Sequence, residues 1–383
     1  MREIYLDNAS TMPMAEVCLQ TMTEAFKNDY ANPSSLHKKG YEVEKKIIES
    51  KERIADILGV SASEIFFTSG GTESNNMAVL GIARANQRKG KHIITCSTEH
   101  PSVLEAMRQL EKEGFTVDYI GVNQDGQILE TDFVATIKPE TILISIMAVN
   151  NETGVIQDVA ALAQKAKQIN PEIVFHSDCV QAFGKVKMPE LKALDSVSVA
   201  SHKLGGPKGI GLLWLRKNTK IEPIILGGKH QAGLRAGTEN YPLVKGFETV
   251  IGLAKEDYEK HSAKALLCKE SFLKALDYAE ANYTINGANA ETSPYILNVS
   301  FPDVRAEVLL HAMEEEDIYI STGSACQSKK TKKYSHVIEA MDVSNKEGSI
   351  RLSFGYQTEP EELIRAAQIM AGKIKILQRF VRK

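Results

Sequence analysis

One cysteine stands in a segment whose composition suits a reactive thiol. Cys326 lies in STGSACQSKK, residues 321–330, after small residues that allow close backbone approach and shortly before two lysines. A nearby cation favours the thiolate, which is the nucleophilic form of the side chain. The alternative is a buried thiol in a small-residue turn, because free cysteine is among the most buried residue types. The ten residues alone favour the buried thiol, so the rest of the chain has to distinguish the two.

A lysine at the end of an apolar run is a second candidate for covalent chemistry. Lys203 lies in SVASHKLGGPKGIGLLW, residues 198–214, where a strand-like run meets three glycines and a proline. An amine held among buried strands can be kept uncharged, and an uncharged amine forms a Schiff base with a carbonyl compound. The alternative is a lysine that extends from a sheet edge into solvent. Lys208, five residues later, fits that alternative.

Two more polar residues follow strand-like runs. Asp178 ends a strand in HSDCVQAFGK, where its carboxylate could pair with a cationic ring nitrogen, as a pyridoxal phosphate (PLP) site requires, or cap a following helix. His100, in TEHPSVL, precedes a proline that begins a helix. It could stack on a ring or transfer protons, although a single histidine is more often structural.

A glycine turn offers an anion site. FTSGGTESNN, residues 67–76, predicts a strand, a turn and the start of a helix. Gly70 and Gly71 let the backbone approach a ligand, and Thr72 adds a hydroxyl to the N–H groups of the helix N-terminus, which suits a phosphate. No Gly-Lys-Ser/Thr follows, so the segment is not a P-loop. Taken alone, the segment favours the alternative, a capped helix after a tight turn.

Composition restricts the class of protein. The chain has 383 residues, 43% of them hydrophobic and 25% charged, which is ordinary for a globular protein of two domains. The formal net charge of -3 gives no general attraction to nucleic acid or anionic membrane. The start MREIYLDNAS lacks a signal-peptide core, and the apolar stretch TILISIMAV is too short to span a bilayer. We expect a cytoplasmic protein.

The cysteines and histidines predict neither a disulfide framework nor a metal site. The cysteine number is odd, the spacing is wide, and neither C-x-x-C nor H-E-x-x-H occurs. HSDC, residues 176–179, brings three metal-ligand types together, but a strand points alternate residues to opposite faces. The five cysteines are Cys18, Cys96, Cys179, Cys268 and Cys326.

Strand-like and helix-like patterns alternate through the first two thirds of the chain. Continuous apolar strands between helices predict an α/β fold with a mainly parallel sheet that is covered by helices on both faces. One long helical stretch with a polar middle, AKEDYEKHSAK, is predicted from Tyr241 to about Asn282. A smaller α+β unit follows. We expect a large PLP-binding domain over 15–260, and a small domain over 1–14 and 261–383 that carries the Cys326 loop and Arg351.

The candidate residues share one position in this fold, because each follows a predicted strand. In an open parallel α/β sheet, ligands bind outside the carboxyl ends of the strands. We therefore expect four groups to converge: a phosphate site, a carboxylate for a ring nitrogen, an amine and a stacking side chain. These are the groups that a PLP enzyme needs. The residues concerned are Thr72, His100, Asn151, Asp178 and Lys203.

Seven motifs together carry a resemblance to a known family. The chain resembles the cysteine desulfurases of the NifS/IscS type, which are class V aminotransferase-like PLP enzymes of fold type I. The resemblance covers nearly the whole chain, from YLDNAST to IRLSFG. The motifs, in family order, are TSGGTESNN, TEHPSVL, VNNETGVIQ, SHKLGGPKGIG, GLRAGT, STGSAC and IRLSFG.

The resemblance implies a role for each residue around the cofactor. Lys203 would hold PLP, Asp178 the pyridinium nitrogen and Gln181 the ring hydroxyl oxygen. His100 would stack on the ring and take part in proton transfer. The phosphate side would be formed by Gly71, Thr72, His202 and Thr238, with Thr238 reaching the cofactor of the other subunit of a homodimer.

The resemblance also implies a substrate site and a sulfur acceptor. Asn151 and Arg351 would hold the carboxylate of L-cysteine, Lys203 would remove its α-proton, and the Cys326 thiolate would attack its sulfur. The products would be alanine and a persulfide on Cys326. In the family a serine commonly stands where this chain has Ala200, so Ser201 is a candidate replacement for that phosphate contact.

The sulfur could pass to one of two kinds of protein. The lysine-rich QSKKTKK and the end of the chain at QRFVRK favour a tRNA-thiolation enzyme over an iron–sulfur scaffold. Two other functions are compatible with the same motifs. The first is another PLP reaction on this fold, such as transamination or selenocysteine lyase activity, and the second is a non-catalytic α/β binding protein.

Overall fold

A computed structural model describes residues 3–322 and 334–381, so Cys326 lies outside the described residues. The strands are β1 Ile4–Tyr5, β2 Ile65–Thr68, β3 His92–Cys96, β4 Thr116–Ile120, β5 Thr141–Ser145, β6 Val174–Asp178, β7 Ser196–Ala200, β8 Gly211–Leu215, β9 Thr284–Ile285, β10 Ile296–Ser300, β11 Ile318–Tyr319 and β12 Ser349–Ser353. The α-helices are α1 Glu16–Asn28, α2 Lys38–Leu58, α3 Gly71–Asn76, α4 Ile82–Asn86, α5 Pro101–Lys112, α6 Glu130–Thr136, α7 Val159–Ile169, α8 Tyr241–Glu256, α9 Tyr258–Tyr278, α10 Ala306–Glu314, α11 His336–Ala340 and α12 Pro360–Val381.

The large sheet has seven strands in the order β2-β8-β7-β6-β5-β3-β4. Strands β3 to β7 run parallel to their neighbours within this group, and β8 is antiparallel to both β7 and β2. Every residue of β3, β5, β7 and β8 is buried, as strands between two helical layers must be. The predicted α/β fold with a mainly parallel sheet is confirmed.

Adjacent residues of one strand show that both faces of the sheet are covered. Ile94 belongs to a core cluster shared with α1, α2, α7 and α8. Its neighbour Ile93 belongs to a second cluster, which is shared with α5 and with the helical run that contains α3 and α4. Because successive strand residues point to opposite faces, each helical layer packs on its own face.

The long helical stretch predicted from Tyr241 is wrong in one respect, because the chain breaks at Asp257. That residue has φ −101° and ψ 13°, which leaves the α-helical region between α8 and α9. Helix α8 packs in the core of the large sheet, whereas α9 contributes Cys268 and Phe272 to a separate cluster. No glycine or proline marks the break, since it results from packing on two different cores.

That separate cluster joins both ends of the chain. Strand β12 pairs antiparallel with β10, and β1 pairs in parallel with β11. Their buried side chains pack with α9, α10 and α12. Ile4 and Leu6 lie in this cluster, so the first residues pack with the last third of the chain. The domain boundaries at residues 15 and 260 stay a prediction. In the described part of the chain, no helix has the length and apolar character needed to cross a bilayer.

Candidate active site

The reversal between β7 and β8 carries Lys203. Strand β7 ends at Ala200, a short 3₁₀ turn covers Ser201–Lys203, and the chain returns as β8. The Lys203 Nζ donates to the backbone carbonyl oxygens of Ala9 at 2.6 Å and Ser10 at 2.5 Å. Lys208, by contrast, is exposed to solvent. The amine at residue 203 is therefore directed to the segment that follows β1.

Asp178 is fixed at the carboxyl end of β6. Its Oδ2 accepts a hydrogen bond from Asn75 Nδ2 at 2.6 Å, and its Oδ1 accepts one from the Val180 N–H at 2.9 Å. Asn75 in turn contacts His176, whose Nε2 lies 3.2 Å from Asn75 Oδ1. Burial lowers the pKa of His176 to about 3, so it stays neutral. The chain after Asp178 forms turns rather than a helix, so the carboxylate does not serve as a helix cap.

His100 joins the same polar network from the end of β3. Its Nδ1 accepts a hydrogen bond from the Ser102 N–H at 3.1 Å, which caps α5, and lies 2.8 Å from Ser102 Oγ. Ser102 Oγ also accepts a hydrogen bond from Asn75 Nδ2 at 2.9 Å. Burial lowers the pKa of His100, and the charge of Asp178 partly opposes that shift. The imidazole is thus held in a fixed orientation and favours its neutral form.

Gln181 and Lys203 meet at one carbonyl group. Gln181 is buried, and its Nε2 donates to Ala9 O at 2.8 Å, the same oxygen that accepts from Lys203. Its Oε1 accepts a hydrogen bond from Lys185 Nζ at 3.0 Å. The predicted neighbourhood of Gln181 and Lys203 is therefore present in the structure.

The glycine turn begins a longer helical run than α3 alone. After Asn76 the chain continues through one π-helical segment, Met77–Gly81, into α4. A Cβ on Gly71 would lie 2.8 Å from Val180 Cγ2, so only glycine lets this turn pack against the segment after Asp178. Thr72 is exposed at the start of the run. Its hydroxyl and the first N–H groups remain available to an anion.

Ser201 and His202 have different surroundings. Ser201 is fully buried, and a Cβ on Gly206 would lie 2.1 Å from its Oγ, so the hydroxyl lies against that glycine. His202 is half-buried, with Nδ1 3.2 Å from Thr11 Oγ1. Burial, and secondarily the charge of Lys203, lower the pKa of His202 to about 4. His202 can therefore offer a neutral imidazole, while the phosphate role of Ser201 stays a prediction.

Arg351, on β12, is almost wholly buried and faces the N-terminal segment. One guanidinium nitrogen, Nη2, donates to Asp7 Oδ1 at 2.6 Å and to Ser10 Oγ at 2.7 Å. The other, Nη1, donates to the backbone carbonyl of Asn151 at 2.8 Å. The Nε is buried and has no hydrogen-bond partner among the described residues. Arg351 and Asn151 are thus adjacent, as predicted, and Ser10 links them to Lys203.

The two asparagines of the NNETG motif, Asn150 and Asn151, make different contacts. The Asn150 side chain is buried and accepts hydrogen bonds from the N–H groups of Glu152, at 2.9 Å, and Thr153, at 3.0 Å. It therefore shapes the turn. Asn151 is half-buried, and its backbone carbonyl holds Arg351. This arrangement leaves the Asn151 side chain as the one suited to a ligand.

Two described residues that follow Cys326 in the sequence, Ser335 and His336, lie beside this site. Ser335 is buried, and its Oγ donates to Glu152 Oε2. Burial raises the pKa of Glu152 to about 7. His336 Nε2 lies 2.9 Å from the backbone carbonyl of Glu99, the residue before His100. Ser335 and His336 therefore contact the NNETG and TEH motifs, respectively.

The other four cysteines are poor nucleophiles. Each is buried, and burial raises the pKa of its thiol. The raised pKa is about 11 for Cys18 and Cys268 and about 12 for Cys96 and Cys179. In the described residues, no cluster of three or more histidine, cysteine or acidic side chains is arranged to hold a metal ion.

Two predicted residues stand apart from this group. Thr238 is exposed in the segment after the 3₁₀ turn Gln231–Gly233, and none of the hydrogen bonds found in the described chain joins its side chain to the residues around Lys203. Its role stays a prediction. Cys326 lies outside the described residues, and its role stays a prediction too.

Sequence reasoning missed Asn75, Asp7 and Lys185. Asn75 lies inside the glycine-turn motif, and its position one helical turn after Thr72 was the available signal. Asp7 lies inside YLDNAST, but its pairing with Arg351 spans 344 residues, and no local pattern reveals it. Lys185 gave no signal beyond its place at the end of HSDCVQAFGK.

The donor set fits PLP. Lys203 supplies an amine for an aldehyde, and Asp178 supplies an oriented carboxylate for a ring nitrogen. The turn at Gly71 supplies helix-start N–H groups for a phosphate. The buried Nε of Arg351, unpartnered among the described residues, leaves a donor for an anionic substrate group. A large α/β sheet with such a site at the carboxyl ends of its strands defines a PLP-dependent transferase of fold type I.

Comparison with known proteins gives the family. Residues 4–365 match the family model "Aminotransferase class-V". A protein named "Cysteine desulfurase IscS" from Dictyoglomus turgidum is 40% identical over 366 residues, covering 94% of this chain and 92% of its own length. A solved structure of a "NIFS-LIKE PROTEIN" superposes with a TM-score of 0.92 at 32% identity, over 98% of this chain and 100% of its own.

A third comparison concerns a structure with a bound amino acid. It is described as "SspA in complex with cysteine" and has a TM-score of 0.79 at 32% identity, over 92% of this chain and 98% of its own. The chain belongs to the class-V aminotransferase family, and within it to the cysteine desulfurases of the IscS/NifS type, which are PLP-dependent enzymes.

Proposed function

We propose that this protein removes sulfur from L-cysteine and carries it as a persulfide on Cys326. The observation that carries the proposal is the position of the two anchors of the Cys326 segment. Ser321 pairs with Arg351, and Ser335 and His336 dock on Glu152 and Glu99, next to the predicted substrate residues. Both ends of the segment therefore lie beside the site that would hold the substrate.

The substrate carboxylate has a suitable receptor. Arg351 is oriented by Asp7 and by the Asn151 carbonyl, and its buried Nε has no partner among the described residues. A guanidinium binds a carboxylate through two parallel hydrogen bonds, and the Asn151 side-chain amide can add a third. A substrate carboxylate that replaces Ser10 Oγ on Arg351, while Asp7 stays in place, would make a charge-assisted contact with the guanidinium.

The cofactor would be held by residues from several strand ends. Lys203 would bond its aldehyde carbon, Asp178 its ring nitrogen and Gln181 its ring oxygen, while His100 would cover the ring. Gly71, Thr72 and His202 would bind the phosphate, with Ser201 as a further candidate. PLP, when bound, acts as an electron sink for the substrate α-carbon.

The chain's own groups would then move protons and sulfur. The Lys203 amine, released when substrate replaces it, would take the α-proton, and the neutral imidazole of His100 would hold or deliver a proton nearby. The Cys326 thiolate would attack the substrate sulfur. An S–S bond forms to Cys326, the Cβ–S bond of the substrate breaks, and the electron pair of that bond remains with Cβ, which takes up a proton to give alanine.

Elimination supports Cys326 as the acceptor of sulfur. Burial raises the pKa of the other four thiols to about 11 or 12, so little thiolate forms on them near neutral pH. Lys329 and Lys330 follow Cys326 closely in the sequence and favour its thiolate. Cys326 is the cysteine with a sequence environment suited to a nucleophile.

Incubation with L-cysteine and a reductant, with sulfide and alanine measured together, tests the proposal. We expect both products in equal amounts from the wild type. We also expect neither from Cys326→Ser and both from the control Cys179→Ser. Formation of a keto acid without sulfide would instead identify an aminotransferase. Absence of both a visible cofactor band and any product would indicate a non-catalytic binding protein.

We further propose a cytoplasmic homodimer with shared sites. Thr238 is exposed and makes no hydrogen bond to its own site among the described residues, which supports a contact across a subunit interface. Sedimentation of the holoenzyme should give twice the chain mass. Thr238→Val should weaken PLP binding, whereas the half-buried control Thr219→Val should not. A monomer with full PLP affinity would contradict this arrangement.

For the sulfur acceptor we favour a tRNA-thiolation enzyme. Lys329, Lys330, Lys332 and Lys333 give the segment after Cys326 a positive charge that suits an acidic partner surface or a partner that carries tRNA. With ³⁵S-labelled persulfide on Cys326, label should pass to a purified tRNA-thiolation enzyme faster than to an iron–sulfur scaffold. The opposite order would reverse this preference.

A further inference from the structure

Lys185 is a buried lysine that the proposed reaction does not use. Only 1% of its surface is exposed, and it follows Gly184, which has a φ of +68°, in the run of turns after Asp178. No carboxylate forms an ion pair with it in the described residues. Burial, and then the charges of Lys203 and Arg351, lower the pKa of its ammonium group to about 7. An ammonium in this position is costly, so its retention calls for a reason.

One side chain receives the Lys185 ammonium group. Its Nζ donates to Gln181 Oε1 at 3.0 Å, and Gln181 Nε2 donates to Ala9 O at 2.8 Å. While it is protonated, the lysine has donors and no acceptor, so the amide atom that faces it is then the oxygen. The Gln181 NH₂ group is therefore directed away from Lys185, towards the carbonyl that also accepts from Lys203.

We propose that Lys185 is a positioning residue, which fixes the Gln181 amide so that its NH₂ group faces the Lys203 side of the site. This inference rests on the proposed function, in which Gln181 donates to the ring oxygen of PLP. Without Lys185 the amide can turn over and present its oxygen to that anionic oxygen. A purely structural lysine, by contrast, would fill space with its aliphatic stem and would not affect the cofactor.

The test uses the visible absorption of the bound cofactor, titrated with pH, together with the PLP dissociation constant. A donor to the ring oxygen stabilises its anionic form, so loss of that donor should raise the pH at half-conversion. We expect a rise of about one unit for Lys185→Met, the size typical of one hydrogen bond to a charged group. PLP should bind more weakly by roughly tenfold or less.

Three variants complete the design. Gln181→Leu removes the donor itself and should shift the midpoint in the same direction. The double variant should shift no further than Gln181→Leu, because Lys185 acts through that residue. Lys269→Met is the matched control. Burial also lowers the pKa of Lys269, to about 8, but this lysine lies on α9 and donates to Thr292 instead of Gln181. Its midpoint should equal the wild-type value.

The outcomes separate this inference from the proposed function. A shift in Gln181→Leu without one in Lys185→Met would overturn the positioning role and leave the role of Gln181 intact. No shift in either variant would overturn both. A further shift in the double variant would show that Lys185 acts by its own charge, which also contradicts positioning. If Lys185→Met does not fold, Lys185→Arg keeps the donors and should retain the wild-type midpoint, and a shift there counts against the inference.

Discussion

Ser321 and Arg351 form a backbone bridge five residues before Cys326 in the sequence. The Arg351 N–H donates to Ser321 O at 2.7 Å, and the Ser321 N–H donates to Arg351 O at 3.1 Å. The described residue just before the Cys326 segment is thus paired with the backbone of Arg351, the residue proposed to hold the substrate.

The first prediction concerns Cys326. Cys326→Ser should retain bound PLP, because the residues that would hold it are unchanged, and should lose nearly all sulfide release, because a serine hydroxyl is a far weaker nucleophile near neutral pH. Alkylation after one turnover, followed by peptide mapping, should find the persulfide on Cys326. A persulfide on Cys179 or Cys96, with Cys326 unmodified, would disprove the assignment.

Lys203 is the second test. Borohydride reduction should fix PLP to this residue, since its half-buried amine is held beside Ala9 and Ser10, whereas Lys208 is exposed. Lys203→Ala should lower the rate on the order of 10³-fold through loss of the proton-transfer group. The control Lys208→Ala should keep full activity. An adduct found at Lys208 by peptide mass analysis would refute the role of Lys203.

The third prediction concerns recognition of the substrate carboxylate. Arg351→Lys keeps the charge but loses the two-pronged geometry, so KM for L-cysteine should rise about 10-fold to 100-fold. Asp7→Asn should also raise KM, to a smaller extent, because Asp7 orients the guanidinium through its Nη2. Steady-state kinetics measure both. An unchanged KM in Arg351→Lys would show that the carboxylate binds elsewhere.

Glu152 predicts a pH dependence of stability. Its pKa in the folded protein, about 7, is raised from an ordinary value of 4.5 by burial. A carboxyl group with a raised pKa gives its full contribution to stability below the unfolded pKa, and that contribution is lost as the pH rises through the folded pKa. Between pH 4.5 and 7.5 the loss should be on the order of 3 kcal/mol.

Thermal unfolding of the wild type and Glu152→Gln across this range measures the effect. The amide keeps an acceptor for Ser335 and does not titrate, so the stability of the variant should depend less on pH than that of the wild type. At the alkaline end of the range the variant should be more stable than the wild type. Parallel unfolding curves at every pH would mean that Glu152 does not ionise in this range. The result bears on the Cys326 segment because Ser335, a buried residue that follows it in the sequence, donates to this carboxylate.

Much of the site could be predicted because its residues lie at strand ends. Lys203, Asp178 and His100 each follow an apolar run, and parallel strands bring their carboxyl ends to one edge of the sheet. Each motif alone allowed a structural alternative, and it was their shared position at strand ends that predicted the convergence. The roles of the individual residues came from the family resemblance, and the structure then brought Gln181 to Lys203 and Arg351 to Asn151.

The sequence by itself determined the α/β class, the strand ends that carry the polar residues, and the family. Only the tertiary structure decided which groups orient them: Asp7 on Arg351, Asn75 between Asp178 and His100, and Lys185 on Gln181. It also decided the break at Asp257, where α8 and α9 pack on different cores. The physical reason is that strand and helix patterns come from neighbours along the chain, whereas hydrogen bonds between side chains depend on which distant segments burial brings together.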